Sequence, residues 1–245
     1  MKSDAQSSAV FVCCPVMDIV NGKLIASMQD AHRDNPPLGV YLLIERLRCA
    51  GYSCDVIDWV ANPQLTLKDV AEKASRYSPI FFSANSMNWG VVRLVAEQIK
   101  IINPSVKICI GGPHPTQYPD SVHSSGFFDA LFRGEAGSYI HLIYEVLITG
   151  QKYHIPGFEK CGSQFSQRAN VVQEKQLDDL PWHVAYDLIP EGKYLALPVE
   201  TSRGCRYSCA FCSIPSKNFW RGYATETAIQ QILYADSYSE RTVTG

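Results

Sequence analysis

The sequence predicts an α/β protein whose first 150 residues form a doubly wound parallel sheet. Three observations carry this. Short apolar runs of strand length alternate with helical patterns. Those runs are apolar on both faces, as in a sheet covered on each side. Turn and helix-stop residues separate them at regular intervals.

The elements follow in order. Ser8 to Pro15 (SAVFVCCP) reads as a strand, then comes a polar, irregular stretch. Pro36-Pro37-Leu38-Gly39 opens a helix that runs to Ala50, where Gly51 stops it. Residues 54–60 (CDVIDWV) are a second strand. Thr66 caps the next helix, with Asp69 three residues on. It ends near Tyr77, and Pro79 to Ser83 is a third strand. A helix from Gly90 to Ile102 stops at Asn103-Pro104. Val106 to Ile110 is a fourth strand, closing on Gly111-Gly112. Phe128 to Phe132 is a fifth, closing on Gly134-Glu135. Ser138 to Leu147 is the last helix of this unit, and Gly150 ends it. Right-handed crossovers then give a five-stranded Rossmann-like, flavodoxin-like domain over residues 1–150.

Composition narrows the functional classes. The 245 residues carry 22 Lys+Arg against 24 Asp+Glu, a net charge of -2 that argues against nucleic acid as a partner. No apolar run reaches the ~20 residues of a membrane span. MKSDAQSS has no secretory h-region, so a cytoplasmic location is expected. Ligands of such sheets bind beyond the carboxyl ends of the strands. The informative residues are therefore 16–37, Asn85, Ser86, Gly111 to Thr116, Gly134 and Glu135. No GxGxxG follows the first strand and no P-loop motif occurs, which disfavours a dinucleotide or nucleotide triphosphate. Gly111-Gly112 lets a ligand approach the backbone, and the alternative is a tight turn that needs glycine. Pro113 and Pro115 stiffen the loop around His114, which reads equally as a satisfied structural histidine.

Residues 151–194 change character and read as a hairpin and linker. Leu195 to Thr201 (LALPVET) then reads as a sixth strand, running into Ser202-Arg203-Gly204 and the segment Cys205-Arg-Tyr-Ser-Cys209-Ala-Phe-Cys212. Nine cysteines, an odd number in a chain of this size, do not suggest a disulfide framework. Cys13, Cys14, Cys49, Cys54, Cys109 and Cys161 are scattered and read as packing residues. The tryptophans, Trp59, Trp89, Trp182 and Trp220, read the same way. The three bunched cysteines are different. Soft thiolates at this spacing suit an iron–sulfur cluster or zinc. A closed zinc site wants a fourth ligand, and Cys161 or His183 sits at no customary zinc spacing.

The C-x3-C-x2-C spacing, with Phe211 before the last cysteine, resembles the signature of the radical S-adenosylmethionine (radical SAM) enzymes. The resemblance implies that Cys205, Cys209 and Cys212 hold a [4Fe–4S] cluster, that its open iron takes S-adenosylmethionine, and that Phe211 contacts that cofactor. The front half, with PPLG at the first helix, GGPHPT and RGEAG after strands four and five, is similar to the cobalamin-binding domain of B12-dependent members. By that resemblance cobalamin rests near Asn85, Ser86, Gly111, Gly112, Pro113, His114, Pro115, Thr116, Gly134 and Glu135. Asp30-Ala31-His32 approximates the D-x-H-x-x-G motif of other cobalamin proteins, but Asn35 stands where glycine belongs, so we read it as coincidence.

The implied reaction is methyl transfer to an unactivated carbon or phosphorus centre. The alternatives are radical cyclisation or rearrangement, and a non-catalytic cobalamin or cluster module. Implied partners are a small-molecule or peptide substrate and an electron donor such as flavodoxin or ferredoxin. Residues 195–245 read as the first part of a partial TIM-type radical SAM barrel, which takes roughly 200 residues by comparison with a full barrel. A second chain completing that barrel is a further expected partner. The segment is expected either to dock on the first domain or to be poorly ordered, and the chain alone is expected to lack turnover.

Overall fold

The protein is described by a computed structural model covering residues 8–20, 23–26, 35–162 and 169–239. The strands are β1 (Ala9–Cys13), β2 (Met17–Val20), β3 (Lys23–Ala26), β4 (Cys54–Asp58), β5 (Ile80–Ser83), β6 (Ile108–Gly111), β7 (Ala130–Phe132), β8 (Phe158–Lys160), β9 (Ser202–Arg203) and β10 (Arg221–Gly222). The helices are α1 (Leu38–Cys49), α2 (Leu67–Ala74), α3 (Trp89–Ile102), α4 (Pro113–Gln117), α5 (Pro119–Ser125), α6 (Ile140–Thr149) and α7 (Thr225–Ser239).

The main sheet has the order β4-β1-β5-β6-β7-β8. Its first five strands are parallel, in the doubly wound order that reverses direction beside the first strand. Side-chain alternation then builds two cores. Phe11, Phe81, Cys109 and Phe132 face α1 and α6, where they meet Tyr41, Ile44, Ile140 and Ile143. Val10, Ile80, Phe82, Ile108, Ile110 and Leu131 face the other way, against Val70 of α2 and Val91, Val95 and Ile99 of α3. The predicted cap of α2 is present: Thr66 Oγ1 accepts from Asp69 N–H at 3.2 Å, and the Asp69 carboxylate accepts from Thr66 N–H at 2.8 Å. Gly150 closes α6 with φ of 71°, a left-handed value that suits glycine.

Four departures from the sequence reading matter. The irregular stretch after β1 contains an antiparallel pair, β2 with β3. The stretch after β6 is two short helices, α4 and α5, each opened by a proline at its first turn. Among the described residues of 151–194, the strand β8 pairs antiparallel with β7 and becomes the sixth strand of the sheet. Val172 adds a parallel bridge to Gly134. Finally, Leu195 to Thr201 is not a strand. A strand needs a neighbour for its backbone groups, and this segment instead lays Leu197 and Val199 on the α1/α6 core. Tyr186 donates a hydrogen bond to Pro198 O at 2.7 Å. The second part is thus docked: Tyr234 and Ala235 of α7 join the same core, and Asp178 accepts from Ala224 N–H and Thr227 Oγ1. The final residues, 240–245, and the Asp30-Ala31-His32 segment lie outside the described residues.

Gly112 shows what the β6 turn demands. Its φ is 98°, and a Cβ there would stand 2.7 Å from Ala84 O. Gly39, in α1, has nothing within 4 Å of its Cβ position. We expect Gly112→Ala to destabilise the fold by about 1–3 kcal/mol, while Gly39→Ala leaves stability unchanged or slightly raised. Thermal and urea unfolding of the two variants checks this.

Candidate functional site

Two cavities open along the carboxyl ends of the strands. The first, about 250 Å³, lies between α1 and α6 over the ends of β1, β5, β6 and β7. Its walls are apolar: Phe11, Leu42, Phe81, Phe132, Ile140 and Ile143. Its mouth is charged, formed by Arg46, Glu135, Glu200 and Arg203. The second, about 280 Å³, lies over the ends of β1 and β5 and takes in Cys14, Asn85, Asn88 and Pro113. Ser83, the last residue of β5, lines both.

The residues singled out from sequence fall into three groups. Gly111, Gly112, Gly134 and Glu135 line the first cavity. Asn85 and Pro113 line the second. Ser86, His114, Pro115 and Thr116 line neither of these cavities. His114 is tied into its own turn. It is buried, stacks on Trp89 with ring centroids 4.6 Å apart, and places its Nδ1 3.3 Å from Ser86 Oγ and its Nε2 2.8 Å from Ser121 Oγ. Burial pushes its pKa down, which favours the neutral ring. Thr116 ties two turns together: its hydroxyl donates to Gly112 O at 2.7 Å and accepts from Gly134 N–H at 3.0 Å. Asn85 accepts from Met87 and Asn88 N–H at 2.9 and 3.0 Å and so shapes the entry to α3.

The glycines also need a changed account. Gly112 is pressed by the chain's own Ala84. Gly134, at φ of 103°, is pressed by Val172, whose O would lie 2.1 Å from a Cβ. At both positions the close approach is made by backbone. Of these three glycines, Gly111, whose nearest neighbour would be Phe132 O at 4.0 Å, leaves room beside the cavity.

Sequence reasoning missed Leu42, Arg46, Ile140, Ile143, Glu200 and Arg203, all of which line the first cavity. The signal for α1 was available. Leu38, Leu42 and Arg46 recur at i, i+4 and i+8, so they share one helix face, and a charge continuing an apolar stripe marks a polar end to a buried slot.

The cysteine segment sits beside that mouth. β9 pairs antiparallel with β10, closing the loop that carries Cys205, Cys209 and Cys212. Gly204, at φ of 89°, is required because a Cβ would lie 2.0 Å from Phe219 O. Cys205 N–H donates to Ser216 O and Phe219 N–H to Cys205 O, at 3.2 and 2.9 Å, and Cys212 N–H turns back to Cys209 O at 3.0 Å. Cys209 is exposed, and Cys205 and Cys212 are half-buried. Among the described residues no three ligating side chains are gathered at metal-binding distance, so the loop brings the thiols to one place without drawing them together. Phe211 stands out from the loop, 92% exposed, and Trp220 is 45% exposed, so Trp220 is not a core packing residue. His183 is spent in a stack on Trp182, 3.9 Å between centroids. The scattered Cys13, Cys14, Cys54 and Cys109 are buried, Cys161 is half-buried and Cys49 is exposed. Burial pushes the thiols of Cys54 and Cys161 up to about 12, which leaves them protonated and inert.

One carboxylate joins loop to sheet. Glu135 accepts from Arg221 Nη1 and Nη2 at 2.9 and 3.0 Å, from Arg203 Nη1 at 3.2 Å, and Glu174 N–H at 3.0 Å. Arg203 also grips Glu200, with Nε at 2.8 Å and Nη2 at 2.5 Å. Burial would raise the Glu135 pKa, but the hydrogen bond from Arg221 and the charge of Arg203 outweigh it and hold the carboxyl below its usual range. A depressed pKa adds stability above the unfolded value, near 4.3, that is lost as pH falls through the folded one. We therefore expect the loop to loosen in acid. At neutral pH, Glu135→Gln should speed tryptic cleavage at the exposed Arg206 and Lys217 roughly tenfold, the factor for ~1.4 kcal/mol of lost charge-assisted bonding. Timed digestion followed by mass spectrometry measures it.

Residues 27–140 match the family model for the B12 binding domain. An uncharacterised methyltransferase of Pyrococcus horikoshii is 30% identical over 214 residues, covering 80% of this chain and 45% of that protein. An uncharacterised methyltransferase of Synechocystis is 28% identical over 109 residues, 44% of this chain and 17% of that protein. The cobalamin-dependent S-adenosylmethionine radical enzyme OxsB, solved with aqua-cobalamin and S-adenosylmethionine, superposes with a TM-score of 0.76 at 17% identity, over 97% of this chain and 32% of OxsB. The radical S-adenosylmethionine methyltransferase TsrM from Kitasatospora setae superposes at 0.63 and 14% identity, over 96% of this chain and 46% of TsrM. The chain thus spans less than half the length of the relatives it matches. Among the described residues no helix is long and apolar enough to cross a membrane. Residues 27–140 thus carry the match to a B12 binding domain, and the fold of nearly the whole chain, from the sheet into the cysteine loop, is similar to that of OxsB and TsrM.

Proposed function

We propose that this chain binds cobalamin across the carboxyl ends of β1, β5, β6 and β7, with the cofactor's tail in the cavity between α1 and α6. We also propose that Cys205, Cys209 and Cys212 hold a [4Fe–4S] cluster whose free iron takes S-adenosylmethionine, for methyl transfer to an unactivated centre. The observation that carries this reading is the position of Arg203. It lines the cavity, binds Glu135 beside it, and lies two residues before Cys205.

The residues fit the groups proposed. The slot is apolar and opens at its charged mouth, which suits a planar ring carrying a polar tail. At that mouth Arg46 keeps a buried Nη2 that has no hydrogen-bond partner among the described residues. The loop offers three soft thiols within eight residues, a donor set that suits iron and sulfide. When bound, these groups supply one-electron cleavage of S-adenosylmethionine and carriage of a methyl group.

The chain's own residues do the positioning. The phenyl walls of Phe11, Phe81 and Phe132 keep water from the slot. Gly204 and the β9–β10 pair fix the loop's base. Arg203 and Arg221 fix that base to the sheet through Glu135. Phe211, beside Cys212, has an exposed ring that is open to contact with S-adenosylmethionine. Exposed Leu195, Tyr207, Ile214 and Trp220, with Ile232 and Leu233 of α7, supply apolar surface for the rest of a barrel, in further chain or in a second protein.

Two experiments test the reading. Anaerobic reconstitution with iron and sulfide should give a broad visible absorbance that is lost when Cys205, Cys209 and Cys212 are all changed to alanine. Bound zinc with no such absorbance would favour a structural zinc site. The chain should also retain hydroxocobalamin through gel filtration. Gly39→Phe, which extends a ring from an open position in the cavity wall, should weaken retention at least tenfold while far-UV circular dichroism stays unchanged.

A further inference from the structure

Arg46 lines the first cavity and keeps a buried donor that the described residues leave unmatched. It is 5% exposed, on the face of α1 that carries Leu38 and Leu42 into the slot. Its Nε donates to Pro181 O at 3.2 Å. Its Nη2 is buried and has no partner among the described residues. Gly137 makes the room for it, since a Cβ there would lie 1.9 Å from Arg46 Nη1.

The carboxylates nearby are committed elsewhere. Glu200 gives both oxygens to Arg203. Glu135 is taken by Arg203 and Arg221. Glu174 gives both oxygens to Ser138, at 2.8 and 2.7 Å. Burial and the neighbouring charge of Arg203 both work against the Arg46 cation. A buried guanidinium with a free donor is costly until an acceptor reaches it, and an anion matches it better than a neutral amide does.

We propose that Arg46 anchors the anionic tail of the corrinoid, donating its Nη2 hydrogens to the phosphodiester of the nucleotide loop. This rests on the cobalamin reading above. The corrin periphery is neutral amides, and the phosphodiester that joins the ring to its base is the anionic group in that part of the molecule. With the base in the apolar slot, the phosphodiester reaches the charged mouth where Arg46 stands. Arg46 is therefore a specificity residue: it favours complete cobalamin over the same ring without a nucleotide tail.

The test compares hydroxocobalamin with cobinamide, which lacks the tail, by equilibrium dialysis against the full chain. Wild type should prefer cobalamin. Arg46→Gln should weaken cobalamin binding roughly tenfold or more and leave cobinamide binding unchanged. Arg46→Lys keeps the charge but loses the fork, and should retain part of the preference. Cobalamin affinity unchanged in Arg46→Gln overturns the assignment. So does an equal loss of both corrinoids in the Gln and Lys variants. If wild type binds neither corrinoid, the cobalamin reading itself falls, an outcome distinct from those two.

Discussion

The Glu135 carboxylate, on the turn after β7, is where the sheet and the cysteine loop are held in one frame. It collects two guanidiniums and a backbone amide in a half-buried setting. Either arginine alone would leave a charge at the cavity mouth, and breaking a buried pair costs far more than an exposed one. Because Arg203 and Arg221 stand at opposite ends of the cysteine loop, on paired strands, one acidic group sets both ends. The cavity mouth and the loop thus share an anchor, and their spacing is set by one carboxylate and the two guanidiniums it binds.

That arrangement also gives physical meaning to a near-neutral chain. Much of its surface charge is dispersed in weak pairs such as Lys68–Glu72 and Arg93–Glu97. A set of buried and half-buried charges gathers at the junction, where Arg46, Arg203 and Arg221 lie among Glu135, Glu174 and Glu200. An apolar slot with such a rim binds by shape and by a few directed polar contacts.

Much of the fold could be read from the sequence. Parallel strands buried on both faces leave unbroken apolar runs, and helices between them keep caps such as Thr66 and stops such as Gly150. The elements that escaped are short or depend on distant partners. α4 and α5, with 5 and 7 residues, are too brief for a helical period to show. β8 has 3 residues and exists because β7 has a free edge. The segment from Leu195 has strand composition but no strand to pair with among the described residues. The cavity was legible only in part. The three cysteines stand out by their spacing alone, and Gly111 and Glu135, placed after a strand, do line the cavity. His114 and Thr116 share that place, yet their side chains serve the turns, and no local pattern separates the two roles. Arg46 is the reverse case, an ordinary helix arginine in sequence that only packing turns inward.

The β8 strand bears on how such chains are assembled from parts. It comes after the helix at which a doubly wound domain would ordinarily end, and it seals the flank of β7. Val172, further on, presses its backbone onto Gly134, beside Glu135. A graft that moved the sheet alone, cut at Gly150, would carry away a raw β-edge and leave its seal behind. The transferable module is longer than the sheet's own helices suggest, and the connecting segment travels with it as part of the wall.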